Sequence, residues 1–235
     1  EPKAAASKTE VNNPPQKKNS KENASQGEDS QSQRSSFNVL FSGFDKNPQV
    51  DDVKKKFGLL VGVKVVDDVD KNYNVLVMDK FKRTVKFLYT INKGIEIVTY
   101  GWVTQSLKQG KILPTSDFQY SDKESEQKWN YKLQKSIEMA QKNTAGFLKD
   151  KKFWMPRTVT PSYDEMKTLV ESAGGTVEGP AKMKNFNGDW IIVVNEDDKK
   201  NIDEMKFFGY KVYKTELILS GCLQQKLNLK DHLIK

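Results

Sequence analysis

The chain has 235 residues, 36% of them hydrophobic and 30% charged, and carries a net charge of +8. That length accommodates two small domains, and the excess of Lys and Arg suits an anionic partner without choosing among phosphoprotein, nucleic acid and acidic surface. A single cysteine, Cys222, and a single histidine, His232, exclude an internal disulfide and the clustered Cys/His ligands of a zinc site.

Cysteine usage of this kind favours a reducing compartment. No P-loop, G-x-S-x-G or H-E-x-x-H pattern occurs, so neither catalysis nor a metal or cofactor is expected. No apolar run approaches the roughly 18 residues of a membrane helix, and no membrane partner is expected.

In chain order, residues 1–36 come first, without an aromatic residue, Leu, Ile or Met. Such a stretch buries too little apolar surface to offset its ordering entropy, and a disordered tail is expected. It contains the run SQGEDSQSQ, with Ser25, Ser30 and Ser32 each followed by Gln. From Phe37 the pattern changes. Short β-rich runs fall at 38–42, 61–66, 73–78 and 95–98. Asn47-Pro48 can open a helix that stops at Gly58. Thr84 to Asn92 and Gly101 to Gln109 read as two further helices. This first unit spans 37–117. Residues 118–146 form a polar linker, in which Trp129, Leu133, Ile137 and Ala140 recur at helical spacing, so one helix over 122–143 is expected. A second unit spans 147–235.

The second unit repeats the first. Val39-Leu40-Phe41 recurs 114 residues later as Phe153-Trp154-Met155. Val75 to Met78 recurs 115 residues later as Trp190 to Val193, and GIEIVTYGWVTQSLKQGK from Gly94 recurs at the same interval as GYKVYKTELILSGCLQQK from Gly209. A near-constant displacement over separate apolar segments marks an internal repeat. Each copy reads strand, helix, strand, strand, helix, strand, helix, which implies an α/β fold with a small parallel sheet flanked by helices in each copy.

A doubled α/β repeat with FSGF at Phe41 to Phe44, RTVK at Arg83 to Lys86, VTYGWVTQSL around Trp102 and AGG at Ala173 to Gly175 resembles a tandem BRCT module. The likeness extends to the phosphopeptide-binding C-terminal pair of a fungal DNA-damage-response scaffold. It covers about 37–235, and it departs from the family where Leu217 replaces the tryptophan of the last helix. The resemblance implies a phosphate site made by Ser42, Gly43 and Lys86. It also implies a groove for the ligand's third residue beyond the phosphoserine, or for its C-terminus, formed by Arg83, Thr160 and Leu219. The Ser-Gln cluster matches the preference of DNA-damage checkpoint kinases.

The chemistry of that set is coherent. A phosphoserine brings about −1.5 to −2 charges and three strong acceptors, and a hydroxyl, an unhindered amide and an ammonium supply donors. Ser42 and Lys86 are expected to face solvent, Thr84 to cap its helix, and Trp102, Trp154 and Trp190 to pack in cores. At the repeat displacements, Ser42, Gly43 and Lys86 become Pro156, Arg157 and Asn201, so the second copy is expected to lack a phosphate site. The resemblance points to a nuclear, monomeric adaptor that binds a phosphorylated protein, with a phosphorylated histone tail ending in a free C-terminus as the ligand. The other reading is a phosphorylation-independent assembly or DNA-binding platform. Lys54 to Lys56 and Lys149 to Lys152 read as solvated charge that can touch DNA weakly.

Overall fold

Phe, Val and Leu in the run FNVLFS favour extended structure, and strand β1 (Phe37–Ser42) takes the interior of a four-stranded sheet. The structure is a computed structural model and describes residues 36–44, 48–179 and 189–235. The Ser-Gln cluster, the rest of the N-terminal tail through Ser35, and Asn47 lie outside the described residues. Helix α1 (Pro48–Phe57) follows, then β2 (Val63–Val66), β3 (Val75–Met78), helix α2 (Val85–Asn92), β4 (Glu96–Thr99) and helix α3 (Tyr100–Gln109). The strand order is β2-β1-β3-β4, all parallel, with Val39 level with Val65 and Val75.

All four residues of β3 are buried, as a parallel sheet covered on both faces requires. On one face Val39, Phe41, Val75, Val77 and Val98 meet Phe57, Trp102 and Val103 of α1 and α3. On the other, Leu40, Leu76, Met78 and Ile97 meet Phe87, Leu88 and Ile91 of α2. Trp102 is a core residue, fully buried with its indole N–H donating to the Leu113 carbonyl at 2.9 Å.

A 3-10 turn at Thr115–Phe118 leads into the linker helices α4 (Lys123–Lys128) and α5 (Leu133–Lys142). The second repeat then follows the order of the first: β5 (Lys152–Trp154), α6 (Tyr163–Ser172), β6 (Thr176–Glu178), β7 (Trp190–Val194), α7 (Lys199–Phe207), β8 (Val212–Lys214) and α8 (Glu216–Gln224). Its sheet runs β6-β5-β7-β8, again parallel. Leu217 is fully buried where the first repeat has Trp102, so a smaller apolar side chain fills the equivalent position. Trp154 is buried and Trp190 half-buried.

The linker corrects the expectation of one helix. It is broken at Asn130, whose φ is 46°, a left-handed conformation that Asn tolerates better than most residues. Glu126 bridges the break by accepting from the backbone N–H of Leu133 at 3.0 Å. The one-sided packing holds for α5, where Leu133, Ile137 and Ala140 are buried.

Helix α2 joins the repeats, packing against α5, α6 and α8 in one apolar core that contains Phe87, Leu88, Met166, Leu169, Ile218 and Cys222. Full burial of Phe87, Leu88 and Ile91 contributes about 1.5–3 kcal/mol per side chain. A buried polar contact fixes the register: Asn92 Nδ2 donates to Ser172 Oγ at 2.9 Å, and Gln225 Nε2 donates to Asn92 Oδ1 at 2.9 Å. Partnered groups of this kind specify an interface because leaving either end unpaired is costly.

Candidate functional site

The carboxyl ends of strands in an open α/β sheet are where ligands are bound, because loops and helix N-termini converge there. In the first repeat that end holds Ser42, the last residue of β1, and Thr84, the N-cap of α2. Their hydroxyl oxygens are 2.7 Å apart and share a hydrogen bond. Thr84 Oγ1 also accepts from the Phe87 N–H at 3.2 Å, which is the capping role expected of it. Gly43 follows with φ +81°, and a Cβ there would meet the Lys80 carbonyl oxygen at 2.5 Å. The glycine is therefore required by the turn itself.

Lys86 lies in the first turn of α2, and its Nζ donates to the main-chain carbonyl of Asp67. The expectation that Ser42 and Lys86 face solvent is corrected. Ser42 is 7% exposed and bonded to Thr84, while Lys86 is half-buried and tied to the β2–β3 connection. A ligand phosphate here would exchange with contacts inside the protein as well as with water.

Arg83 stands just before the cap and turns the other way. Its Nη1 and Nη2 donate to Oε1 and Oε2 of Glu216 on α8, at 2.6 and 2.8 Å. The guanidinium carbon lies 3.8 Å from the centroid of the Trp129 ring in the linker. One side chain thus bridges first repeat, linker and second repeat. A planar guanidinium suits both partners, a carboxylate fork and an aromatic face.

The two remaining groove candidates have different surroundings. Leu219, 9% exposed, is part of the shared core one turn beyond Glu216. Thr160 is exposed in the β5–α6 connection, where its N–H donates to Asn195 Oδ1 at 2.9 Å. Sequence reasoning missed Glu216, Asp67 and the role of Trp129. Nothing local announces contacts that span 133 residues.

The structure also corrects the comparison between repeats. Val39 pairs with Val75 and Phe153 with Ile191, so β3 and β7 correspond at a displacement of 116. The caps Thr84 and Asp198 correspond at 114, as do the core residues Leu88 and Ile202. The β7–α7 connection is two residues shorter, so the residue matching Lys86 is Lys200, not Asn201. The second repeat keeps the lysine but has Pro156 and Arg157 in place of Ser42 and Gly43. It also has a carboxylate at the cap. Burial raises the Asp198 pKa, but hydrogen bonds from Thr158 and Asn201 and the charge of Lys200 outweigh it and hold the group below the usual range. An anion at that point repels a phosphate.

Cys222 offers no nucleophile, since full burial pushes its thiol up to about 12.

Residues 18–120 match the family model described as the Regulator of Ty1 transposition protein 107 BRCT domain, and residues 146–233 match the BRCT domain model. The chain carries two BRCT domains in tandem. Among relatives of this BRCT pair, Mediator of DNA damage checkpoint protein 1 of Rattus norvegicus is 28% identical over 217 residues, covering 89% of the chain and 16% of the rat protein. The chain therefore spans a small part of that relative's length. Among solved structures, the BRCT5-BRCT6 domains of S. pombe Brc1 align with a TM-score of 0.64 at 21% identity, covering 83% of this chain and 96% of that one. The complex of Rtt107p with a phosphorylated histone aligns with a TM-score of 0.59 at 12% identity, covering 85% and 92%. These likenesses share the two-sheet fold described above.

Proposed function

We propose that this BRCT pair is a phosphoserine-binding adaptor of the DNA damage response, acting in the nucleus, with Ser42, Gly43 and Lys86 as its phosphate site. The observation that carries the reading is the 2.7 Å contact between Ser42, at the carboxyl end of β1, and Thr84, the N-cap of the helix whose first turn carries Lys86. There a hydroxyl, a main-chain turn open at a glycine, an ammonium and a helix dipole can meet one anion. The second BRCT domain, with Asp198 at the cap and Pro156 for Ser42, supplies the framework without that set.

The ligand we favour is a phosphorylated histone tail whose chain ends shortly after the phosphoserine. Arg83 gives Glu216 two of the five N–H donors a guanidinium carries, and the others can reach a ligand carbonyl or terminal carboxylate. Thr160 and Leu219 are proposed to line the same groove from the second domain. Support comes from Rtt107p, a BRCT protein of the same fold solved in complex with a phosphorylated histone. The test is calorimetric titration with a phosphoserine peptide and its dephosphorylated form. Binding is expected for the first alone, and Lys86→Met should weaken it at least about tenfold, the equivalent of one charged hydrogen bond. Equal binding of both peptides would overturn the reading.

A phosphorylation-independent assembly platform has one observation in its favour: Phe207 and Phe208, at the end of α7, are 85% and 54% exposed. Peptide binding insensitive to phosphatase but lost in Phe207→Ser would support it.

A further inference from the structure

Lys86 has a second setting. Beside it opens a cleft of about 600 Å³ lined by Phe41, Lys54, Lys64, Lys71, Lys86 and the single carboxylate of Asp67. Four lysines come from four different segments: α1, the edge strand β2, the β2–β3 connection and α2. Lys54 is partly buried, 3.4 Å from Asp51 and with its ammonium 5.3 Å from the centroid of the Phe41 ring. Lys71 has a loose, exposed contact with Asp70 at 3.7 Å. Lys64 is exposed and makes no ion pair among the described residues. Gathering four ammonium groups around one concavity is unfavourable unless an anion enters it.

Lys86, which lines the cleft, and Arg83 turn away from each other. Lys86 reaches back to Asp67 at the outer edge of the first domain, whereas Arg83 reaches across to Glu216 of the second. A peptide whose residues after the phosphoserine run toward Arg83 must lay its preceding residues along the cleft. We infer that the cleft is a second phosphate site, which takes a phosphorylated residue N-terminal to the phosphoserine held by Ser42 and Lys86. This inference rests on the phosphopeptide reading above and extends it to ligands that carry two phosphates.

The residue types favour phosphate over carboxylate. A carboxylate is best met by a planar guanidinium fork, and the cleft has no arginine; a phosphate dianion offers three acceptors to several point-charge ammonium groups. Duplex DNA fits less well. The lysines face one concave space, and Asp51, Asp67 and Asp70 stand among them, where a straight run of phosphates would meet like charge.

The whole chain can be titrated with four peptides of one sequence: unphosphorylated, phosphorylated once, phosphorylated also about three residues earlier (roughly 10 Å of extended chain), and carrying Glu at that earlier position. The second phosphate should tighten binding about tenfold at 0.15 M salt, and Glu should tighten it less than about threefold. Lys64→Gln with Lys71→Gln, both exposed and outside the first phosphate site, should remove that gain and leave affinity for the singly phosphorylated peptide unchanged. No gain from the second phosphate, or an equal gain from Glu, overturns the inference while the singly phosphorylated peptide still reports on the first site. Failure of every phosphopeptide to bind removes both readings.

Discussion

Arg83 and Glu216, one from each BRCT domain, form a two-pronged ion pair with the guanidinium stacked on Trp129. Their side chains are 19% and 29% exposed, so solvent screens the pair in part. Geometry of this kind still exceeds an ordinary surface pair, and a double-mutant cycle of Arg83→Gln and Glu216→Gln should give a coupling of about 1 kcal/mol in urea unfolding. On the proposal that Arg83 receives the ligand's terminal carboxylate, Glu216 competes for the same cation. Amidating the C-terminus of a phosphopeptide should weaken binding to the wild type about threefold and to Glu216→Gln about tenfold. Equal discrimination by the two proteins would mean that Arg83 does not touch the ligand's end.

The second domain provides a control for the proposed phosphate site. Lys200 occupies the position of Lys86, two residues past the cap, with Asp198 where the first domain has Thr84. Lys200→Met should therefore leave phosphopeptide affinity unchanged within about 1.5-fold, while Lys86→Met reduces it at least about tenfold. Ser42→Ala should weaken binding and also cost about 1 kcal/mol of stability, since it strips Thr84 of a partner. A loss of binding in Lys200→Met would show that the sites have been assigned to the wrong repeat.

Much of this was legible in the sequence. Strand cores, repeat order, the Thr84 cap and the buried Trp102 follow from apolar periodicity and local hydrogen-bonding chemistry. What failed depended on contacts remote in sequence or on loop length. A displacement of 115, applied between the repeats, averaged over the strand β3, shifted by 116, and the helix α2, shifted by 114, and so set Asn201 rather than Lys200 opposite Lys86. Residues 122–143 of the linker lack Gly and Pro, and the break at Asn130 accompanies Trp129 turning under Arg83. Ser42 reads as an exposed hydroxyl until Thr84, forty-two residues away, is brought within 2.7 Å of it.

Gly43 and Gly110 separate backbone strain from crowding. Both have positive φ, +81° and +63°, but a Cβ on Gly43 meets a carbonyl oxygen at 2.5 Å, and one on Gly110 meets nothing within 4 Å. Gly110→Ala should cost about 1 kcal/mol, the usual penalty for a left-handed alanine. Gly43→Ala should cost at least about 1 kcal/mol more and abolish phosphopeptide binding, because the turn must move away from Lys80. Equal losses in thermal unfolding would show that the Lys80 carbonyl yields freely.

Asp198 makes the pH dependence of the second domain specific. Burial works against its charge, but hydrogen bonds from Thr158 Oγ1 at 2.5 Å and from Asn201, through its side chain at 2.7 Å and its backbone at 3.2 Å, prevail, with help from Lys200. A carboxyl whose folded pKa lies below its unfolded value contributes stability above the unfolded value, near 3.8 here, and loses it as pH falls through the folded value. Thr158→Val removes one of these bonds and keeps the helix cap, so the Asp198 titration followed by NMR should move up toward the ordinary value. At neutral pH the variant should be less stable than the wild type, and the gap should close as the pH falls through the folded value of Asp198, below which both carboxyls are protonated. A gap in melting temperature that persists undiminished in acid would assign the effect of Thr158 to packing, with no part played by the charge of Asp198.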